Sequence, residues 1–321
     1  MNDTFVTALY NITISENLSR GDKINDTTFI TNDPVTINGL LDRQHSQFLG
    51  GLEELAIRKA SAVIYSHEPA SGGVTPEQHL VSKLYEVEIF LAILWLFTDH
   101  SVNDETGFYF FVNSEGLGGT SNHLASMNTC ANGEMSDLIC SRTQLKRVRE
   151  FYREQVTLPD FPFAKPKLSL TQETSRIQRA LHHTMTARAE SDIGFKISGY
   201  CSALEALLSS SQAELSHQLA ERVAFLIGDS SERRLWYYKL VKQAYVVRSK
   251  IVHGDTVRAA KLPELIRISE FCDETIRSLV MAILSSEEHE AMFSLDNTSF
   301  DAQMLSVIFG DAKPLPKALP W

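Results

Sequence analysis

The fold is decided by one stretch, Leu240-Val-Lys-Gln-Ala-Tyr-Val-Val-Arg-Ser-Lys-Ile-Val-His-Gly254. Its apolar residues recur at helical spacing, and Gly254 follows them where a helix would stop. Ser230-Ser-Glu232 supplies capping residues at the other end, so the pattern predicts an amphipathic helix that reaches Val252. The residues predicted to face the core are Leu235, Tyr238, Val241, Tyr245 and Val252.

The segments on both sides predict four more helices. They span Ser169 to Ala189, Asp192 to Ser209, Ala213 to Gly228 and Pro263 to Ser285. Five helices of about 15–23 residues with short connections are typical of a helical bundle, which we place at residues 168–286. Residues 287–321 are acidic and then rich in proline, so we expect an irregular C-terminal tail that packs on the body.

The N-terminal half has a different pattern, rich in β-branched and aromatic residues. The predicted strands are Phe5–Ser15, Thr28–Thr31 and Gly107–Val112, while Ser61–Ser66 fits either a strand or a helix end. Thr75-Pro76-Glu77 caps a predicted helix that continues to about Thr98. Residues 113–135 are rich in glycine, serine and asparagine and predict a loop.

The whole chain is therefore expected to be α+β and mostly helical. Residues 1–157 form a mixed α+β region, the helical bundle occupies 168–286, and the tail covers 287–321. Three prolines within residues 158–167 indicate a linker between the first two.

Charge is distributed unevenly along the chain. The net charge of −10 over 321 residues excludes a protein that coats nucleic acid without specificity. Residues 229–262, in contrast, hold eight Lys or Arg and three acidic residues, a net charge of +5. Such a local basic patch fits a short, positioned RNA contact; the alternative is a solvated helix face.

The sequence predicts a cytoplasmic protein that does not contact a membrane. The longest apolar run, Val87–Phe97, is too short to span a bilayer and contains Glu88. The first residues lack the basic start and apolar block of a signal peptide. The four cysteines are scattered, and Cys130 and Cys140 with His123 match no zinc pattern, so we expect neither metal nor cofactor.

Arg248 and His253 are the candidate catalytic residues. A permanent cation and a side chain that titrates near neutrality suffice to cleave a phosphodiester without metal. The two residues lie about 140° apart on an ideal helix, so they converge only if the helix loosens or ends around Ile251–Gly254. In the alternative interpretation, Arg248 caps the helix or pairs with a carboxylate, and His253 is a surface residue favoured by the helix dipole.

Three segments, in this order, resemble the HEPN ribonuclease superfamily, specifically its Apea-like branch associated with bacterial antiviral defence and abortive infection. Gly199–Leu208 contains the A-L-E-A-L core, and Leu215–Gly228 is similar to the pattern L-x-E-R-x-A-x-L-L-G. The third segment carries R-x4-H at Arg248 and His253. The resemblance covers the helical bundle, and no family is recognised for residues 1–150.

The resemblance implies a metal-independent endoribonuclease that acts as a homodimer, with a toxin-like role in defence or stress. Two copies of the motif would form one composite site and leave a 2′,3′-cyclic phosphate. His253 would act as general base or acid, and Arg248 would stabilise charge on the phosphoryl oxygens. Glu205 would hold Arg248 in place or, alternatively, is a surface carboxylate. Arg222 is either a second cation of the site or structural.

Other parts of the chain receive supporting roles. Lys250, Lys242 and Arg258 would contact the RNA, and residues 1–157 would sense a signal or restrain the nuclease. Ser249 stands where many family members have Asn, Asp or His, so its role is limited to hydrogen bonding. Asp255 stands where a related toxin subgroup has a tyrosine, so we expect no nucleotidylation there.

Two rival interpretations remain. In the first, the chain is a non-catalytic HEPN-like module for RNA binding or dimerisation. In the second, it is a metal-dependent enzyme that uses the loop at 113–140, which lacks a ligand set.

Overall fold

The computed structural model describes residues 3–69, 73–114, 116–123, 127–156, 174–211, 213–256, 258–310 and 315. Within them the chain is α+β and mostly helical, as predicted. It divides into two compact units. The sheet unit comprises Met1–Leu94, His100–Met127 and Met135–Phe161, and the helical unit comprises Trp95–Asp99, Asn128–Glu134 and Pro162–Trp321. The predicted linker at 158–167 lies outside the described residues.

The sheet unit is built on a six-stranded antiparallel sheet. The strands of the unit are β1 (Asp3–Tyr10), β2 (Ile12–Ile14), β3 (Asp22–Lys23), β4 (Thr28–Thr31), β5 (Ala62–Glu68), β6 (Asn103–Asn113), β7 (Gly116–Asn122) and β8 (Leu138–Cys140). The sheet order is β3-β4-β5-β1-β6-β7, while β2 and β8 form a separate parallel pair. In the register, Val6 at the centre lies between Tyr65 and Phe108.

Two strand predictions needed correction. The segment predicted as one strand from Phe5 breaks at Asn11, whose φ of 59° turns the chain between β1 and β2; asparagine tolerates this conformation better than most residues. The loop predicted at 113–135 contains β7. Its glycines give space to aromatic rings, since a Cβ at Gly118 would lie 2.6 Å from the Phe111 ring. The ambiguous segment at Ser61–Ser66 is a strand, β5.

Helices cover both faces of the sheet. They are α1 (Pro34–Leu40), α2 (Arg43–Ser46), α3 (Gly51–Lys59), α4 (Pro76–Phe97) and α5 (Arg142–Val156). One face packs with Ile37 of α1 and Ile57 of α3, and the other approaches Leu80 and Leu84 of α4 at Gly107. The predicted start of α4 is confirmed, because Thr75 and Gln78 exchange capping hydrogen bonds.

The helical unit contains the five predicted helices of the bundle and two more. They are α6 (Arg176–Ala189), α7 (Ile193–Leu208), α8 (Leu215–Ile227), α9 (Ser231–Val252), α10 (Leu262–Leu284), α11 (Glu287–Phe293) and α12 (Asn297–Phe309). The start predicted for α6 at Ser169 is wrong, because Ser175 and Gln178 form its capping box. At the centre of the unit, α7 contacts α6, α9 and α10 and buries Ile197, Tyr200 and Leu204.

The tail is not irregular as far as the structure describes it. Helices α11 and α12 begin at the N-caps Ser286 and Asp296. Their rings Phe293 and Phe300 lie 5.3 Å apart and are fully buried. Both caps are visible in the sequence, and acidic first-turn residues after Ser286 favour a helix, so composition alone was a poor guide here.

The buried face of α9 also differs from the prediction. The residues that face the core are Tyr237, Leu240, Val241, Ala244 and Val247. Leu235 and Val252 are 53% and 57% exposed. The core face is set by contacts with α7, α8 and α10, which leaves several apolar residues of α9 on the surface.

Candidate functional site

The end of α9 is fixed by backbone hydrogen bonds. The Asp255 N–H donates to the Lys250 carbonyl at 2.9 Å, and the Gly254 N–H donates to the Ile251 carbonyl at 3.1 Å. Gly254 has φ +77°, so the three features form a Schellman motif. The predicted stop is therefore confirmed, and His253 is the C-cap residue.

Arg248 pairs with a carboxylate of the neighbouring helix. Its Nη2 lies 3.3 Å from Oε1 of Glu205 on α7, and the two side chains are 26% and 19% exposed. The guanidinium also lies 5.3 Å from the centre of the Tyr245 ring. Burial and then Glu205 raise the pKa of Tyr245, so that phenol stays protonated near neutral pH. The predicted contact between Glu205 and Arg248 is present; their roles in catalysis stay predictions.

Not every N–H group of the Arg248 guanidinium has a hydrogen-bond partner among the described residues. Among the described residues, its buried Nε has no hydrogen-bond partner, and the same is true of Oε1 of Glu205. This unsatisfied donor is enclosed in the protein and costs stability. The Arg248 side chain as a whole is 26% exposed, so an anionic group can reach only its exposed part.

His253 lies on a different side of α9 from Arg248. The helix is regular through Val252, so the two positions differ by about 140° around its axis. By the same count His253 lies about 20° from Val246 and about 60° from Lys250. His253 is exposed, and its backbone N–H donates to the Ser249 carbonyl at 3.1 Å. Ser249 itself is half-buried next to Arg248.

A cavity of about 250 Å³ lies between α9 and α10, on the side of α9 that carries Val246 and Lys250. We call it the α9–α10 groove. Three cations line it: Lys242, Lys250 and Lys261, the last at the end of a 3-10 turn (Ala259–Lys261). Two of the three predicted RNA contacts, Lys242 and Lys250, therefore share one groove. Arg258, the third, is exposed and is not among the residues that line it.

The contacts of Arg222 are those of a residue that stabilises the fold. It is buried, donates to the Leu208 carbonyl, and forms an ion pair with Asp301 of α12. Its guanidinium lies 5.5 Å from the centre of the Phe300 ring. Arg222 therefore anchors the C-terminal helices.

Sequence analysis missed a buried polar cluster inside the helical unit. Asp273 of α10 accepts hydrogen bonds from Trp95 Nε1 at 2.8 Å, Tyr200 OH at 3.0 Å and Arg277 Nε at 2.7 Å. Lys196 of α7 donates to the Ala187 carbonyl at 3.0 Å. These groups come from distant parts of the sequence, and the nearest available signal was a lysine in the apolar start of α7.

Burial shifts the protonation of this cluster. Desolvation, and then the neighbouring Asp273, raise the pKa of Asp99 to about 6. Desolvation, and then the cation of Arg188, lower the pKa of Lys196 to about 8. Asp273 and Lys196 are fully inaccessible, so we interpret the cluster as part of the core.

In the part of the chain that the structure describes, no three His, Cys, Asp or Glu side chains are grouped so as to hold a metal ion. No helix among those same residues is long and apolar enough to cross a membrane.

Comparison of the chain with protein-family models, curated proteins and solved structures found no match. The function is therefore inferred from the residues of the chain and their geometry.

Proposed function

We propose that the chain is a metal-independent, HEPN-like endoribonuclease whose active site is formed by Arg248 and His253 of two copies. The observation that supports it most is the end of α9. There His253 is exposed as the C-cap residue of the Schellman motif, and the partly exposed Arg248 is held by Glu205. These are the two kinds of group that RNA cleavage by transesterification needs.

In the proposed reaction one His253 removes the proton from a ribose 2′-OH. The 2′-oxygen attacks phosphorus, and the bond from phosphorus to the 5′-oxygen breaks. The His253 of the second copy protonates that leaving oxygen. Arg248 donates hydrogen bonds to the phosphoryl oxygens as negative charge develops, and the products are a 2′,3′-cyclic phosphate and a 5′-hydroxyl.

The separation of the two residues supports a composite site. Arg248 and His253 differ by about 140° around α9, so the two side chains of one chain do not readily contact the same phosphate. An arginine of one chain and a histidine of a second chain can do so more readily. A homodimer with two-fold symmetry also supplies two histidines, one as base and one as acid.

We place this activity in the cytoplasm, in antiviral defence or stress, as the resemblance to Apea-like HEPN proteins implies. Lys242 and Lys250 would contact the RNA, and the sheet unit would sense a signal or restrain the nuclease. No cofactor is part of the proposal.

One feature favours the alternative of a non-catalytic module for RNA binding or dimerisation. Glu205 already neutralises Arg248 across α7 and α9, as expected of a residue that stabilises the bundle. Ser249, in addition, offers no acid–base group beside it.

The deciding experiment is RNA cleavage by the full chain in EDTA. We expect cleavage of cellular RNA, with cyclic phosphate ends that a 2′,3′-cyclic phosphodiesterase opens. The control is a His253→Ala variant prepared in parallel. Cleavage that requires added magnesium or manganese, or that persists undiminished in His253→Ala, would contradict the proposal. RNA binding without any cleavage would favour the alternative.

A further inference from the structure

The α9–α10 groove combines cations with an apolar floor. We infer that it binds a single-stranded segment of RNA next to the bond that is cleaved, with phosphates on its lysines and a base on its floor. This inference rests on the proposed function, because it assigns the groove to the substrate of that same site.

The cations of the groove are available to an anionic ligand. Lys242 Nζ lies 2.8 Å from the Ser216 hydroxyl, so its only described contact is uncharged. Lys250 is exposed and forms no ion pair with any residue that the structure describes. Lys261 lies 3.9 Å from Glu264, and both side chains are at least half exposed, so their attraction is weak. The groove is therefore lined by three lysines and one carboxylate, and its net positive charge is complementary to a chain of phosphates.

The floor of the groove is aliphatic. Val246 and Val247 of α9 contribute to it from one side, and Leu265 and Ile268 of α10 from the other. Val246 is 56% exposed although α9 has a well-packed core face. An inorganic anion would gain nothing from these side chains, whereas a nucleobase has an apolar face that they can cover.

The groove follows the face of α9 on which His253 lies. Trp236 precedes the groove on α9 and does not line it; it is 49% exposed, and its ring lies 5.4 Å from the Phe271 ring of α10. Trp236 and His253 are separated by about 25 Å along the helix, at a rise of about 1.5 Å per residue. A strand that enters at Trp236 would stack there, pass over the lysines and reach His253.

This geometry favours an unpaired strand over a duplex. In a duplex the base faces are stacked on one another, so neither the aliphatic floor nor Trp236 could contact them. Charge alone would not discriminate between the two forms.

The test measures binding of a fluorescent oligoribonucleotide of mixed sequence to full-length protein carrying His253→Ala, which prevents turnover. Lys242→Gln, Lys250→Gln and Lys261→Gln are each added to that background. For each lysine lost, we expect the slope of log affinity against log salt concentration to fall by about 0.7. Arg267→Gln is the matched control, since Arg267 is an exposed cation of α10 that is not among the residues lining the groove.

A second pair of variants tests the floor. Val246→Ser should weaken binding of the single strand several-fold without changing the salt slope. Val252→Ser is its control, because Val252 has almost the same exposure on the same helix but lies about 120° away. The same oligoribonucleotide annealed to its complement should bind more weakly to the His253→Ala protein.

The outcomes separate this inference from the proposed function. If the groove variants bind like their controls while wild-type protein cleaves RNA in EDTA, the groove inference is wrong and the proposed function stands. If the groove variants lose binding but the wild type never cleaves, the groove inference holds and the nuclease proposal fails. Equal affinity for duplex and single strand would overturn the choice of an unpaired strand. If light scattering shows that the lysine variants dissociate a dimer and RNA binding is unchanged, a second copy occupies the groove and the inference is overturned.

Discussion

Two charged sites in the helical unit differ in how far their groups are exposed to solvent. Around Asp273 the carboxylate accepts three hydrogen bonds and is fully inaccessible. At the end of α9, Arg248 makes one loose ion pair, and His253 is exposed. The inner cluster is closed to solvent, whereas the outer site is partly open to it. The comparison separates charge that is enclosed in the core from charge that a molecule in solution can reach.

The largest expected effect is on catalysis at the outer site. His253→Ala should lower the rate of RNA cleavage by roughly 10²–10⁴-fold, because it removes the proposed general acid and base. Its free energy of unfolding should change by no more than about 0.5 kcal/mol, since an exposed C-cap makes few contacts. Single-turnover cleavage and thermal unfolding of the same preparations measure both.

Arg248→Ala should be similarly inactive but less stable by about 1–2 kcal/mol, because Glu205 loses its partner. If either variant is folded and fully active, the end of α9 is not the site.

At the inner cluster we expect the main effect on stability rather than on catalysis. Asp273→Ala should destabilise the helical unit by about 3–5 kcal/mol, since it leaves Arg277 and the other buried donors without their acceptor. Denaturant unfolding followed by the fluorescence of the tryptophans measures the loss. Asp255→Ala, an exposed carboxylate beyond the end of α9, is the control and should change little. A loss below about 1 kcal/mol would mean that the cluster is not a core element.

A third expectation concerns pH. The folded protein holds a proton on Asp99 up to a pKa of about 6, whereas the unfolded chain releases it near the ordinary value of 3.8. Folding is therefore destabilised by this group at pH 7, and stability is gained as the pH falls through 6. The gain is about 2 kcal/mol by pH 4 and approaches about 3 kcal/mol at lower pH.

Asp99→Asn should remove this pH dependence. Burial lowers the pKa values of His67 and His183, so these residues act in the opposite direction, but they are unchanged in the variant. The test is the difference in melting temperature between wild type and Asp99→Asn from pH 7 to pH 5. A constant difference would show that Asp99 is already charged over that range.

The smallest effect is expected at Glu205, the partner of Arg248. Glu205→Gln keeps the shape of the side chain but removes the charge that holds Arg248. We expect about a tenfold lower cleavage rate, with a shift in stability below about 1 kcal/mol. Glu270→Gln, an exposed carboxylate on α10 that does not line the groove, should leave the rate within about twofold. A Glu205→Gln variant that cleaves at the wild-type rate would show that the ion pair belongs to the bundle alone.

Local signals in the sequence were sufficient for much of this architecture. Capping residues and apolar spacing predicted the bundle helices, and Gly254 predicted the stop of α9. These features depend on residues close together in the chain. The helices of the tail were missed although Asp296 was available as a cap, because acidic composition was given more weight than local pattern.

Other features depend on contacts between residues that are far apart in the chain. The strand β7 exists because β6 pairs with it and because Phe111 requires glycine opposite. The orientation of α9 follows from three neighbouring helices, so apolar spacing alone identified Val241 but wrongly placed Leu235 and Val252 in the core. The Asp273 cluster and the α9–α10 groove join distant segments, and only Lys242 and Lys250 of the groove were predicted as ligand contacts.

The stop at Gly254 has a consequence for the tolerance of this position to mutation. A Cβ added there would meet no atom within 4 Å, so side-chain size is not what restricts it. The restriction comes from φ +77°, which glycine adopts freely, asparagine accepts and β-branched residues strongly resist. In a saturation library at residue 254, the stability of each variant should therefore follow how readily its residue adopts a positive φ. Asparagine should come next to glycine, and valine and isoleucine last.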